Sequence, residues 1–301
     1  MGVRNSSLLR LILSMLIYGT IGIFRKALPV SSAFLAMFRG FCGAFLLLLF
    51  LAATRRKPEW NAVRKKLVPL IVSGGIIGLN WILLFESYRY TTVAISTLCY
   101  YMSPVFVMIA SPFLLHQPLE KRKVISLVLS LIGMLLITGV FSPGVAESGR
   151  MIGILLGLGA AALYATVILI NQTLGNVPSF ERTIVQLFSA GVVVLPYTVI
   201  TGGMAALSFN PGHLALLLLI GLVHTAIAYV LYFSSMDHLS AQTVAIISYL
   251  DPLTAVLLSA FLLHEPIDAL GILGTVFILA AAVYAEIDFH FPGKQNKQEV
   301  I

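Results

Sequence analysis

The feature that most constrains the fold is a short sequence that occurs twice in an apolar chain. Residues 110–119 read ASPFLLHQPL, and residues 258–267, 148 positions later, read LSAFLLHEPI. The same offset aligns Pro104 with Pro252. Both copies have apolar surroundings, because 59% of the residues are hydrophobic and only 10% are charged. A chain of 301 residues cannot bury that much apolar surface in a water-soluble core, so the repeat predicts a duplicated bundle of membrane helices.

Ten apolar stretches are long enough to cross the hydrocarbon core, which takes about 20 helical residues. The connections between them are short, so neighbouring helices are expected to pack antiparallel. We therefore predict an all-α integral membrane protein with ten transmembrane helices in two five-helix repeats, residues 1–143 and 144–288, and a polar cytoplasmic tail, residues 289–301. The predicted spans are roughly 9–27, 33–53, 67–87, 92–115, 122–141, 152–171, 182–201, 213–234, 240–263 and 269–287.

Lysine and arginine residues orient these spans. With a cytoplasmic N-terminus, fourteen of the nineteen basic residues lie on the cytoplasmic side and four on the other, while Arg39 lies inside a span. This is the bias that the positive-inside rule expects, so both termini are predicted to be cytoplasmic. The protein itself is predicted to be a multi-pass protein of the cell membrane. Five helices is an odd number, so the second repeat must be inverted relative to the first. The net charge of +7 is then a topology signal, and no nucleic-acid partner is predicted.

Motifs for several other functions are missing from the sequence. It has no GxxxxGK[ST] phosphate loop, so ATP is excluded as an energy source, and a duplicated helix bundle that moved solutes would use an ion gradient or the solute gradient itself. Cys42 and Cys99 lie in apolar stretches without metal-ligand spacing, so no disulfide framework, metal or cofactor is predicted. An intramembrane enzyme would need a catalytic constellation, and the one conceivable dyad is His224 with a serine such as Ser248. A channel would favour rings of like residues around a symmetric pore, and an inverted twofold repeat with an acid beside the repeated proline in only one half argues against that arrangement. The chain is therefore interpreted as a secondary transporter, not an enzyme.

Each half carries the same series of features around its proline. An aromatic-rich helix end, a short turn and a proline-containing helix read FESYRYTTVAISTLCYYMSPVFV at 85–107 and FSSMDHLSAQTVAIISYLDPLTAV at 233–256. This pattern resembles the drug/metabolite transporter superfamily, EamA type, over nearly the whole chain. The exits HQP at 116–118 and HEP at 264–266 depart slightly from that family, which usually has Glu before a non-proline residue. The resemblance implies export of a small metabolite across the cytoplasmic membrane; import or facilitated passage, proton coupling and a homodimer are left open.

Ionisable side chains inside a membrane span are costly, which makes them the first candidates for a site. Asp251 lies about midway along the ninth span beside Pro252, which frees a backbone carbonyl one turn earlier. Such a carboxylate can bind a cation, a proton or a substrate amine, or it can simply stabilise the kink. The repeat places Ser103 and Pro104 at the equivalent positions. Pro104 and Pro252 are therefore predicted hinges beside an asymmetric site.

Three further ionisable residues are candidates. His224, near the middle of the eighth span, could relay a proton or hydrogen-bond across helices. Glu86 and Arg39 fall toward the outer ends of the third and second spans, where they could form an ion pair. Arg39 could instead bind a substrate carboxylate. Glu86 could instead act as a coupling group or form an interfacial ion cluster with Arg89.

Aromatic and polar side chains at mid-depth are the remaining candidates, because interfacial aromatics belong at helix ends. Tyr101 and Thr97 are four residues apart and share one helical face. A ring of such residues would suit a flat or cationic organic solute, and ordinary packing is the alternative for each of them. The substrate-binding candidates, in addition to Asp251 and His224, are Tyr18, Asn80, Trp81, Thr97, Tyr101 and Tyr249.

Overall fold

The structure is a computed structural model that describes residues 3–55, 57–91, 93–137, 150–175, 177–204, 210–263 and 269–286. The predicted tail at 289–301, the predicted repeat boundary at 143–144 and the HEP exit at 264–266 lie outside these residues. The helices are α1 (Val3–Lys26), α2 (Ser32–Ala53), α3 (Trp60–Lys65), α4 (Leu67–Tyr90), α5 (Val93–Tyr100), α6 (Ser103–Leu114), α7 (Lys121–Ile137), α8 (Arg150–Thr173), α9 (Ser179–Ile200), α10 (Pro211–Gly221), α11 (Ala228–Ser235), α12 (Ala241–Ile247), α13 (Leu250–Leu263) and α14 (Ala269–Glu286), with a π-helical segment (Leu222–Ile227) between α10 and α11.

In the described part of the chain, these helices form ten passes. Seven passes are single helices, three combine the pairs α5–α6, α10–α11 and α12–α13, and α3 is a short helix between the second and third passes. The prediction of an all-α membrane fold is confirmed. Five helices are long and apolar enough to cross a membrane by length and composition alone, and they are Ser32–Ala53, Leu67–Tyr90, Met151–Thr173, Ser179–Ile200 and Pro211–Ser235.

The fourth and ninth passes are broken just before their prolines. Residues 101–102 separate α5 from α6, and residues 248–249 separate α12 from α13. Pro104 and Pro252 consequently lie in the first turn of the second segment, where a residue without an N–H breaks no intrahelical hydrogen bond. The prolines therefore mark the two breaks.

The closest helix packing joins one half of the chain to the other. α2 packs on α9, α4 on α8 and α9, α7 on α14, and α1 on α11 and α13. Exchanging equivalent passes of the two halves maps α2–α9 and α7–α14 onto themselves and α4–α8 onto α1–α11. The described helices thus form two inverted repeats that meet along one seam.

Glycines bring the backbones of the two halves into contact at this seam. A Cβ added at Gly74 would lie 2.5 Å from the carbonyl oxygen of Gln186, and one at Gly40 would lie 2.8 Å from the backbone nitrogen of Gly191. Carbon atoms do not approach that closely, so a larger residue at either position would push α4 or α2 away from α9. Glycine at both positions is therefore what allows these helices to approach so closely.

Candidate substrate site

A cavity of about 290 Å³ lies where the two halves meet. Helices α1, α2, α4 and α5 of the first half and α8, α11 and α13 of the second half contribute to its wall, which is mostly aromatic. Ligand pockets typically combine such apolar and aromatic walls with a few polar groups. The lining residues are Tyr18, Ile21, Arg39, Trp81, Leu84, Phe85, Tyr88, Thr97, Tyr100, Tyr101, Tyr164, Tyr229, Tyr232 and Asp251.

Asp251 is the acidic residue of this wall. It lies in the first turn of α13, directly after the helix break, where the helix N-terminus favours a negative charge. The Tyr101 hydroxyl, from the opposite half, donates a hydrogen bond to its Oδ2 atom at 3.2 Å. The partly buried carboxylate forms no salt bridge with any described residue. It therefore retains the capacity to bind a cationic group of a ligand.

Arg39 is the basic residue of the same wall, and the π-helical segment holds it in place. Its Nε donates to Thr225 Oγ1 at 3.0 Å, and an Nη atom donates to the carbonyl oxygen of His224 at 3.4 Å. The guanidinium carbon lies 5.4 Å from the centre of the Trp81 ring, which is a cation–π distance. The remaining Nη atom of Arg39 has no hydrogen-bond partner among the described residues, so it can donate to a ligand.

Tyrosine side chains form most of the remaining wall. Tyr164 donates to the Tyr232 hydroxyl at 2.7 Å, and the two rings are stacked with centroids 6.3 Å apart. Tyr18 meets the Tyr229 ring edge-on at 5.5 Å. Its hydroxyl is buried without a hydrogen-bond partner in the described part of the chain. Leaving a buried hydroxyl unpaired is unfavourable, so a ligand that bonded Tyr18 would gain from it.

A second cavity adjoins the central cavity. A vestibule of about 480 Å³ beside Ser31 and Thr201 shares Phe85 and Tyr88 with the central cavity. Its loops lie at the end of the bundle opposite the N-terminus. At the other end, a cavity of about 680 Å³ beside Asp237 shares no lining residue with the centre. The vestibule is therefore next to the central cavity, whereas the cavity beside Asp237 is set apart from it.

Polar contacts join several helices near the N-terminal end of the bundle. The fully buried Arg182 donates to Asp237 Oδ1 at 3.0 Å and to the Phe233 carbonyl oxygen at 2.6 Å. Nearby, Lys123 of the first half donates to Ser240 Oγ of the second half at 3.1 Å. These bonds tie α9 and α7 to the connection between α11 and α12.

Six of the site residues predicted from the sequence line the cavity together. Three of them, Tyr18, Arg39 and Trp81, come from α1, α2 and α4. The other three, Thr97, Tyr101 and Asp251, come from the two broken passes.

Three other nominated residues do not line the cavity and instead hold helices together. The Asn80 amide donates to the Ala160 carbonyl oxygen at 2.6 Å and joins α4 to α8. The Tyr249 hydroxyl donates to the Tyr101 carbonyl oxygen at 2.8 Å and thereby joins the two helix breaks. The His224 ring lies 2.7 Å from the hydroxyl oxygen of a threonine in α1. All three were predicted as site residues from their depth along a span, but depth does not specify which neighbour a side chain faces.

The ion pair suggested between Glu86 and Arg39 is not present. Glu86 forms a salt bridge with Arg89 at 3.0 Å, and Tyr197 donates a hydrogen bond to the same carboxylate. Arg39 is engaged with the π-helical segment instead. The interfacial cluster of Glu86 with Arg89, the alternative that the sequence left open, is the arrangement found at this end of α4.

The dyad that an enzyme would need is also not formed. The Ser248 hydroxyl donates to the Val244 carbonyl oxygen at 2.7 Å, and the His224 ring is bonded to Thr20. Among the residues that the structure describes, no three His, Cys, Asp or Glu side chains are grouped so that they could hold a metal ion.

Several cavity residues were missed by the sequence analysis. Tyr100 and Tyr164 belong to the wall, with ring centroids 5.5 Å apart, as do Tyr88 and Tyr232. Tyr164 occupies the middle of the sixth predicted span, so the rule that singled out mid-depth aromatics would have found it if it had been applied to every span. Tyr88 is close to a helix end, where aromatic residues are ordinarily interfacial, and no sequence signal separates it from them.

The architecture and the cavity together define a class of membrane protein. Ten helices in two inverted repeats, with a polar and aromatic cavity at their junction, are typical of secondary transporters. The chain matches the EamA-like transporter family twice, over residues 5–139 and 151–285. It belongs to this family, which confirms the resemblance seen in the sequence and makes the chain a multi-pass membrane protein of a transporter family.

Individual relatives agree with this placement. The chain is 28% identical to the uncharacterized transporter YxxF of Bacillus subtilis (strain 168), over 92% of this chain and 88% of that protein. It is 25% identical to the uncharacterized inner membrane transporter YhbE of Escherichia coli (strain K12), over 82% and 77%. Protein PecM of Dickeya dadantii (strain 3937) is 25% identical over 72% and 73%. A solved crystal structure superposes with a TM-score of 0.79 at 16% identity, over 94% of this chain and 96% of that one, which supports the fold.

Proposed function

We propose that the protein is a secondary active transporter that exports a small amine-bearing organic solute, an amino acid or a related metabolite, across the cell membrane in exchange for protons. The observation that carries the proposal is Asp251, a carboxylate without an ionic partner among the described residues, set in an aromatic cavity between the two inverted repeats. Both halves contribute to this cavity, so rocking one half against the other would expose it to alternate sides.

The chemistry of the wall supports an amine as the ligand group. A carboxylate removed from water is stabilised by a cation that hydrogen-bonds to it, and an ammonium group meets that need. The tyrosine rings and Trp81 add cation–π attraction around the same position. Arg39 adds a fixed guanidinium with a free Nη atom, which suits a carboxylate on the same solute. A zwitterionic solute would engage both charges of the cavity.

Competition at Asp251 supports proton coupling. An ammonium group and a proton would each neutralise the same carboxylate, so binding of one displaces the other. Suppose that Asp251 is bound to the solute when the cavity turns outward and is protonated when the cavity turns back inward. The transporter then exchanges the solute for a proton. An inward proton gradient across the cell membrane then drives export, because the solute and the proton move in opposite directions. Import or facilitated passage of the same solutes is the alternative, and the direction of pH-driven flux distinguishes them.

The test is pH-gradient-driven flux in proteoliposomes of the purified protein, measured with pooled radiolabelled amino acids and amines. Asp251→Asn is expected to abolish accumulation driven by the gradient while leaving the melting temperature nearly unchanged. Glu120→Gln is the matched control, because Glu120 is an exposed acid that pairs with Arg122 and Lys123 away from the cavity. Gradient-driven accumulation that persisted in Asp251→Asn would refute the assignment.

A further inference from the structure

A groove on the outer surface of the bundle follows the seam between the two halves. It has a volume of about 530 Å³ and lies between α2, α4 and α9, with Trp60 of α3 at one end. We call it the seam groove. Its wall is apolar apart from Ser189, and residues such as Leu48, Ile71 and Phe188 are half-exposed there. The seam groove therefore faces the lipid, and a hydrocarbon chain fits its surface.

A glycine keeps the seam groove open. Gly74 and Gly78 are required for contact with α9, because an added Cβ would lie 2.5 Å and 2.8 Å from backbone oxygens of that helix. Gly75 differs, since the nearest atom to an added Cβ would be Val193 Cγ2 at 3.7 Å, an ordinary contact distance. Helix packing therefore does not explain Gly75. Its missing side chain instead leaves room in the groove wall.

Basic side chains gather at the end of the seam groove that carries Trp60. Lys66 directly precedes Leu67, a residue of the groove wall. The basic residues with described side chains in this segment are all exposed, and none forms a salt bridge with a described residue. The nearby acids are the exposed Glu59 and the buried Glu181, so the segment remains net positive. The exposed basic residues are Arg55, Lys57, Arg64, Lys65 and Lys66.

We propose that the seam groove binds an anionic glycerophospholipid, with one acyl chain along the apolar wall and the phosphate against the basic cluster. Lysine and arginine clusters next to a membrane helix attract anionic headgroups, and tryptophan favours the headgroup level that Trp60 would then occupy. A second copy of the chain is a poorer occupant. A twofold dimer through this face would bring two positive clusters together. The bound lipid would contact α2 and α4 of one half and α9 of the other, across the seam that has to move.

The test is native mass spectrometry of the purified full-length protein after delipidation, with added dioleoyl phosphatidylglycerol or dioleoyl phosphatidylcholine. The wild type is expected to bind one phosphatidylglycerol about tenfold or more tightly than phosphatidylcholine. Lys65→Gln/Lys66→Gln should remove that preference, and Gly75→Leu should weaken binding of both lipids by filling the groove. The matched controls are Lys121→Gln/Arg122→Gln for charge and Ala280→Leu for side-chain volume on a lipid-facing helix.

Three outcomes would overturn the proposal. Equal binding of the two lipids by the wild type would show that the basic cluster does not distinguish lipids by headgroup charge. An unchanged preference in Lys65→Gln/Lys66→Gln would place the anionic lipid elsewhere, and this variant alters only exposed residues, so its folding is not at issue. A wild-type dimer that Gly75→Leu converts to a monomer would make the groove a protein interface.

Discussion

Replacing Asp237 is expected to destabilise the protein more than replacing its partner Arg182, although both changes break the same salt bridge. Arg182 is fully buried, whereas the Asp237 side chain is 31% exposed. Asp237→Ala leaves a buried guanidinium whose remaining described acceptors are the Phe233 carbonyl and the Ser179 hydroxyl. An uncompensated buried charge of this kind costs about 3 to 5 kcal/mol.

Arg182→Met removes the buried charge instead. The Asp237 carboxylate then turns toward water, and methionine retains much of the apolar packing. Two nitrogen atoms of Arg182 are already buried without partners, so removing them also relieves a penalty. We expect a loss of about 1 to 2 kcal/mol, mainly for the hydrogen bonds that are removed. The double variant should resemble Arg182→Met alone, so the coupling energy should equal the loss in Asp237→Ala, about 3 to 5 kcal/mol.

SDS-induced unfolding in mixed micelles, followed by tryptophan fluorescence, measures the three variants on one scale. Glu59→Gln is the control for loss of an exposed carboxylate near the same end of the bundle, because the Glu59 side chain forms no cap hydrogen bond with α3. A larger loss of unfolding free energy in Arg182→Met than in Asp237→Ala would contradict the assignment of Arg182 as the buried charge that Asp237 stabilises. Strictly additive losses in the double variant would do so as well, because they would mean that the two side chains do not interact.

Three further predictions concern the cavity and the seam. Arg39→Gln should weaken binding of zwitterionic solutes far more than binding of simple amines, as measured by thermal shift with matched pairs of ligands. Tyr18→Phe should leave the melting temperature unchanged or slightly higher, since it removes an unpaired buried hydroxyl, and a solute that bonds this hydroxyl should lose about 0.5 to 1.5 kcal/mol of binding free energy. Gly74→Ala should lower the melting temperature because its Cβ would meet the Gln186 carbonyl, whereas the neighbouring Gly75→Ala should have almost no effect.

The arrangement of passes could be predicted because it depends on properties that a sequence carries directly. Apolar length gives the spans, and the odd number of spans in each repeat requires inversion. Pro104 and Pro252 likewise indicated the two broken passes, since a proline is tolerated where a helix starts. The repeat also identified Asp251 as the position where the halves differ, and the structure places that residue in the central cavity.

The partners of individual side chains could not be predicted in the same way. Helical periodicity assigns Asn80 and Trp81 to faces of one span, but only the packing of α4 on α8 decides that Asn80 faces a backbone carbonyl while Trp81 lines the cavity. The π-helical segment that holds Arg39 was equally hidden. A π-helical segment forms where one extra residue is inserted into a turn of an α-helix, and no residue type specifies that position.

The helix breaks show how a duplicated fold produces a site with a single carboxylate. Tyr101 and Tyr249 are equivalent residues of the two repeats, yet their hydroxyls have different partners. Tyr249 donates to the backbone of Tyr101, while Tyr101 donates to Asp251. A second acid in place of Ser103 would lie at the other break, where like-charge repulsion would favour protonation of one of the two groups. Because Ser103 is neutral and buried outside the cavity wall, the cavity presents one carboxylate, and a monovalent cationic group is the ligand that neutralises it.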